Sequence, residues 1–477
     1  LLGVEIIAAT NNARIDTSAQ FVWQPGTYPA IAPRVNEQSG ATIAKQGGSE
    51  MSAERTNSKK ESRNPIVRFF ANLGPGLITG AADDDPSGIA TYSTAGALLG
   101  TGQLWTALIT WPLMGSVQMM CARIGMVTGK GLAGALHHKF PKPVIIVFAT
   151  ALLIANTINI GADLSGMADA AEMLSGVNSH YWVIIFGLAI AIATVQFRYH
   201  QIASVLKWLA LTLFAYVIAG FVVGPDWSRI LHDTFIPSLP KGHEAWATLV
   251  AILGTTISPY LFFWQSSQEV EEEKAIGRRM LAWRRGATRR EIAVRRMDVG
   301  IGTFFSNLVM YFIILSTALT LHAHGTTNIE TTKQAAEALL PLAGKFAYLL
   351  FTAGIIGVGF LAIPTLSGSA AYAFAETFGW RQGLDSKFTS ARAFYGVVIL
   401  STLVGVALDF ANVNPVRALY WTAIINGLLA PFLLVGVWLV ASDRTIMRNQ
   451  TSSHLNLIAV ALAILLMFAA AIGMFVF

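Results

Sequence analysis

The chain has 477 residues, 54% of them hydrophobic and only 13% charged, with a mean hydropathy of +0.54. That balance cannot build the solvated shell of a soluble domain. One cysteine, Cys121, excludes an intramolecular disulfide framework and a cysteine zinc cluster, and the net charge of +6 is placed in a way that argues for membrane topology and against nucleic acid.

In chain order, residues 1–64 read as a polar tail, rich in Ser, Asn, Gln and Gly. The apolar stretch Leu1 to Ala9 carries Glu5 and lacks a basic leader, so it fits neither a signal peptide nor a spanning helix. Met51 opens a basic approach to the first span, and residues 1–50 read as an upstream extension.

Residues 65–477 read as a transmembrane domain of about eleven helices, near 70–99, 102–127, 143–174, 181–197, 201–223, 245–268, 297–320, 346–378, 391–410, 415–441 and 455–476. Lys and Arg fall mostly in alternate loops, with their densest block from Lys274 to Arg296. That alternation predicts a cytoplasmic amino end, an external carboxyl end and a bacterial-type inner membrane. The acidic run Glu269, Glu271, Glu272, Glu273 is expected to continue the sixth helix inward, pairing with the Arg block or lining the exit.

Two spans are interrupted alike. The first carries Asp83-Asp84-Asp85-Pro86-Ser87-Gly88, and the sixth carries Gly254-Thr255-Thr256-Ile257-Ser258-Pro259-Tyr260. Proline removes a backbone donor and drives the preceding residue out of helical geometry. Matched breaks at Pro86 and Pro259 are the sequence sign of inverted repeats around a central site. The expected architecture is therefore an all-α membrane protein of the leucine-transporter-like kind, with repeats at about 70–223 and 245–441 and an extra helix at 455–476.

An ionised carboxylate in the middle of an apolar span needs compensation. Asp85, beside carbonyls freed by Pro86, predicts a cation site; the bland alternative is an aspartate capping the second half-helix. Asp83 and Asp84 are expected to shape a negative, hydrated cavity around it.

The segments Gly74-Pro75-Gly76, Asp85-Pro86-Ser87-Gly88 and Ala122-Arg123-Ile124-Gly125-Met126-Val127-Thr128-Gly129-Lys130 resemble the Nramp family of divalent-metal transporters, from about Asn72 onward. The family carries Asp-Pro-Gly-Asn at its first break and Ala, two residues, then Met-Pro-His at its sixth. Here Gly88 stands in place of Asn, Thr255 of Ala, Ser258 of Met and Tyr260 of His. These departures resemble the Nramp-related magnesium transporter branch. The resemblance implies Asp85, Thr255, Ser258 and Gly88, with Asp84 nearby, around a transported Mg2+ or Mn2+. No cofactor is implied, and the expected partners are the cation and the lipid bilayer.

The departures also make physical sense. Replacing a thioether by hydroxyl and carbonyl oxygens favours hard cations, and smaller side chains at 88 and 258 would leave a wider site for a cation that keeps its water. The family's third span carries Asp, two residues, then Glu; here Asp163 is followed by Gly166, which with Tyr260 predicts uptake without proton coupling. Asp163, Tyr260, Thr256 and Asn426 are the further cavity or proton-route candidates. A proton-coupled Mn2+/Fe2+ symporter and a sodium-coupled amino-acid carrier of the same fold are the rival readings. An intramembrane aspartyl protease lacks its Gly-x-Gly-Asp segment, since Asp163 follows Gly161-Ala162.

Overall fold

The computed structural model describes residues 79–80, 82–196, 211–238, 240–411 and 413–477. The expected tail at 1–64, the start of the first span and the first ten residues of the fifth lie outside these residues. Among the described residues the regular structure is helical, with no strand.

The main helices are α1 (Pro86–Leu99), α2 (Leu104–Thr128), α3 (Lys142–Ser175), α4 (Ser179–Gln196), α5 (Phe214–Val222), α6 (His243–Thr256), α7 (Pro259–Ala275), α8 (Arg289–Thr320), α9 (Ala347–Phe378), α10 (Arg392–Asp409), α11 (Pro415–Ser442) and α12 (His454–Val476). Among the described residues, eight segments are long and apolar enough to cross a bilayer: α3, α4, α6 with α7, α8, the segment ending in α9, α10, α11 and α12. Three expected spans are absent from that set for visible reasons. The first is broken at Asp84 and Asp85, the fifth is described only from residue 211, and α2 is diluted by Thr106, Thr110, Gln118 and Arg123.

Both predicted breaks are present and are built alike. Asp85 (φ −66°, ψ 171°) and Ser258 (φ −76°, ψ 135°) are the extended residues that precede Pro86 and Pro259, and each proline opens a new helix. The fixed proline φ suits the first helical position, where no amide donor is needed, and the residue before it is held extended. The break in the sixth span lies at the centre of the molecule, since 94% of the most apolar stretch of α6 and α7 is buried, against 28% for α4.

The rest of the fold encloses that centre. α3 packs along α9, α10 and α11; α6 packs on α11 and α12, and α7 on α2 and α9. Glycine sets the closest approach: a Cβ at Gly254 of α6 would fall 2.0 Å from the Ala423 carbonyl of α11. Gly427 answers it, where a Cβ would fall 2.4 Å from the Val250 carbonyl. Small residues let two helix backbones touch where lipid offers no hydrophobic drive to bring them together.

Candidate cation site

Asp85 is buried, with 2% of its surface exposed, and both its oxygens are engaged. Oδ1 accepts the Gly88 amide at 2.7 Å, so the residue caps α1 as a helix-start aspartate does. Oδ2 accepts from Asn159 Nδ2 of α3 at 3.2 Å. Among the described residues no lysine or arginine is bonded to the carboxylate. The capping role and the central, cation-free placement thus coexist in one side chain.

Tyr260, beside Asp85 at the start of α7, donates its hydroxyl to the Ala82 carbonyl at 2.9 Å and ties the two broken spans together. Thr255 reaches Gly88, for a Cβ there would lie 3.2 Å from Thr255 Oγ1 and 3.4 Å from the ring of Tyr92. Thr256 bonds back to the Ile252 carbonyl at 2.7 Å and meets the Tyr92 hydroxyl at 3.3 Å. Ser87 holds the other side, with Oγ 2.9 Å from the Leu419 carbonyl and 3.1 Å from Thr422 Oγ1 of α11.

The wide, hydrated cavity expected from the small residues is not what the structure shows. With Thr255 and Tyr92 against Gly88, the space left by the shorter side chain is filled by its neighbours. The Ser258 hydroxyl, expected among the groups around the cation, donates to the Gly254 carbonyl at 2.8 Å and the Thr255 carbonyl at 2.6 Å. It thereby satisfies carbonyls that the helix break leaves orphaned. Its oxygen lone pairs, and the second lone pair of each carbonyl, are still acceptors.

Asp84 is engaged as well. Its Oδ1 accepts from Ser306 Oγ of α8 at 3.2 Å, and Asp83 Oδ2 accepts from the same hydroxyl at 2.7 Å. The two carboxylates therefore turn towards α8, while α3 faces Asp85. Asp163, wholly buried in α3, sits against the Ser87 amide, but neither of its oxygens has a hydrogen-bond partner. Asn426, a cavity candidate, is buried in α11 with Oδ1 unpartnered. His322 Nδ1 meets the Ala97 carbonyl at 2.7 Å, an ordinary helix-end contact.

Three contributors escaped sequence reasoning: Asn159, Ser306 and Gln118. The Gln118 amide of α2 is buried with both polar atoms unpartnered, and the residue lines a small void with Thr256 and Ser258. The only sequence signal for Asn159 was its helical spacing, three after Asn156 and four before Asp163, which places all three on one face.

Among the described residues no three His, Cys, Asp or Glu side chains converge as a metal-binding group. A site of one or two carboxylates and neutral oxygens suits an ion that must leave again.

The profile of the family described as natural resistance-associated macrophage protein-like (Nramp) matches residues 76–476. The divalent metal cation transporter MntH of Erwinia tasmaniensis is 28% identical over 313 residues, which are 65% of this chain and 73% of that protein. Among solved structures, the Eremococcus coleocola manganese transporter aligns with a TM-score of 0.67 at 17% identity, over 86% of this chain and 87% of its own. Mhp1, a nucleobase-cation-symport-1 family transporter, aligns with a TM-score of 0.53 at 14% identity, covering 84% and 90%. These likenesses establish the five-plus-five inverted-repeat fold with broken first and sixth helices.

Proposed function

Because this chain belongs to the Nramp family of divalent metal cation transporters, we propose that its preferred cargo is Mg2+ before Mn2+, taken up by alternating access across the inner membrane without proton coupling. The observation that carries this reading is the donor set at the two breaks. At the two breaks stand the oxygens of Asp85, Thr255, Ser258 and Tyr260, with the Asn159 amide nitrogen on Asp85; the Met310 sulfur meets Thr256 Oγ1 at 3.8 Å, but none of those five side chains carries a thioether or an imidazole. Oxygen donors suit hard cations, whereas sulfur and nitrogen favour the later transition metals.

The packed state is compatible with a hydrated cargo if the half-helices separate to admit it. Two hydrogen bonds, Tyr260 to Ala82 and Thr79 to Gln265 (2.7 Å), fasten the first half of the first span to α7. Their loss is the motion that opens the site. Uptake then places Asp85, and Asp84 behind it, as the negative charges that draw the cation in, with Thr255 and Ser258 as neutral oxygens.

The absence of proton coupling rests on two substitutions. Tyr260, where the family has His, keeps its proton near neutral pH and spends it on a backbone carbonyl. Gly166, where the family has Glu, faces Leu419 so closely that a Cβ would lie 2.8 Å from Leu419 Cδ1. The charge pattern of the loops supports a cytoplasmic amino end and an external carboxyl end.

The test is flux into proteoliposomes of Mg2+, Mn2+ and Ca2+ measured side by side, with internal pH followed. Mg2+ uptake driven by membrane potential, without acidification and abolished by Asp85→Ala, is the expected result. Ser258→Met should raise selectivity for Mn2+ over Mg2+. Acidification in step with Mg2+ entry would refute the uncoupled mechanism, and an unchanged Mn2+ to Mg2+ ratio in Ser258→Met would refute the ligand-softness argument.

A further inference from the structure

The geometry points to Asn159 as a specificity-determining residue of the cation site: its amide holds the Asp85 carboxylate when no ion is bound and turns its oxygen to the hard cation that displaces it. This inference rests on the reading of Asp85 as the cation-binding carboxylate.

Asp85 has one oxygen to offer. Oδ1 is committed to the Gly88 amide at 2.7 Å, and losing that bond would unmake the start of α1. A cation must therefore approach Oδ2, and Oδ2 is the atom on which Asn159 Nδ2 rests, at the long distance of 3.2 Å. Cation and amide donor compete for the same lone pairs.

The amide is built to yield. Asn159 is completely buried, and its Oδ1 has no hydrogen-bond partner. A buried acceptor left unpaired carries a desolvation penalty, which is relieved when something positive arrives. An asparagine carries a donor and an acceptor on one rotatable plane, so a turn of the side chain withdraws Nδ2 from Asp85 and presents Oδ1 to the ion. An amide oxygen is a hard ligand of the kind Mg2+, Ca2+ and Mn2+ accept.

The support for this amide is rigid where the rest of the site is not. Asp85, Thr255 and Ser258 belong to interrupted spans, but α3 runs unbroken from Lys142 to Ser175. One turn before Asn159 on the same face, Asn156 Nδ2 donates to the Leu366 carbonyl at 2.8 Å and to Ser369 Oγ at 2.9 Å, which anchors α3 to α9. One turn after it, Asp163 brings two more unpartnered oxygens. The face of α3 towards the breaks is thus lined by acceptors lacking a donor, the pattern a cation would complete.

The experiment uses the full chain in proteoliposomes, with Mg2+, Mn2+ and Cd2+ as probes, and compares Asn159→Ala, Asn159→Asp and Asn159→Met with Asp85→Ala. Asn159→Ala should raise the half-saturating Mg2+ concentration about tenfold, the lower end of what loss of a metal-site partner costs, while the maximal rate per folded transporter changes little. Asn159→Met should shift preference towards Cd2+. The near-isosteric Asn159→Asp keeps the fold testable: it should tighten Mg2+ binding and enlarge the rise in melting temperature that Mg2+ causes. Half-saturation, cation preference and Mg2+-dependent melting all equal to wild type in these variants would overturn the assignment. Asp85→Ala transporting like wild type would instead overturn the underlying site.

Discussion

Arg295, in the second turn of α8, should be indispensable only while its acidic partners stay charged. Its guanidinium reaches Glu269 at 2.7 Å, Asp298 at 2.6 Å and Glu272. The side chains of Arg295, Glu269 and Asp298 are 9%, 2% and 3% exposed, whereas that of Glu272 is 44% exposed. The Glu272 contact, shared with solvent, contributes at most about 1 kcal/mol. The two buried carboxylates are the costly part: removing Arg295 takes away the guanidinium that faces both Glu269 and Asp298, a loss of about 3–5 kcal/mol for a buried pair broken from one side. Replacing the whole set by neutral side chains of similar shape avoids that penalty and is often neutral or better.

The prediction is therefore a contrast. Arg295→Met should lower the thermal unfolding midpoint in detergent clearly, and Arg295→Met combined with Glu269→Gln and Asp298→Asn should restore most of it. The same network continues from Glu269 to Gln265 Nε2 (2.7 Å) and on to Thr79 (2.7 Å), so the single variant should also loosen the first half-helix from α7. A cysteine placed at Ala82, which leaves both of those hydrogen bonds in place, should then react faster with a thiol reagent in detergent. An Arg295→Met protein that melts with the wild type, or a triple variant that melts with the single one, would refute the reasoning.

Two further expectations follow from the packing and the loops. Gly254→Ala, whose methyl would fall 2.0 Å from the Ala423 carbonyl, should destabilise by at least the roughly 1–3 kcal/mol of core overpacking; Gly300→Ala in α8, with nothing within 4 Å, should gain up to about 1 kcal/mol of helix propensity. Thermal melts of the two variants in one detergent decide it, and equal shifts would refute the close-packing account of α6 and α11. Asp443, just beyond α11, is lowered to about 2 by its hydrogen bond from Lys139 (2.6 Å) and by the Ile446 and Thr445 amides. A depressed carboxylate contributes stability that is present above its unfolded value near 4 and lost as pH falls towards 2. The melting difference between wild type and Asp443→Asn should hold steady from pH 8 to pH 5 and shrink below about pH 4.

What the sequence makes legible here is what is decided within a few residues. Proline dictates the conformation of its own position and the one before it, so Asp85-Pro86 and Ser258-Pro259 could be read as breaks, and both are found as extended residues opening new helices. Hydrophobic run length located eight of the eleven expected spans, among the described residues, on similarly local grounds. Even the acidic run after the sixth span found its partners as one of the two expected outcomes, with Glu269 and Glu272 on Arg295, and Glu273 on Arg278.

The contacts that finish the site are of another kind. Asn159 lies 74 residues from Asp85, and Ser306 lies 223 from Asp83. Nothing in a run of apolar helix separates an amide that faces a carboxylate from one that glues two helices together. Composition could also mislead: Gly88 suggested open space, but in a closed core the volume given up by one side chain is taken by its neighbours, here Thr255 and Tyr92, while at Ser258 a small void remains. Size at a single position therefore sets how far the half-helices approach when the site is shut, and the room for a hydrated cation is a property of the opened state that their separation creates.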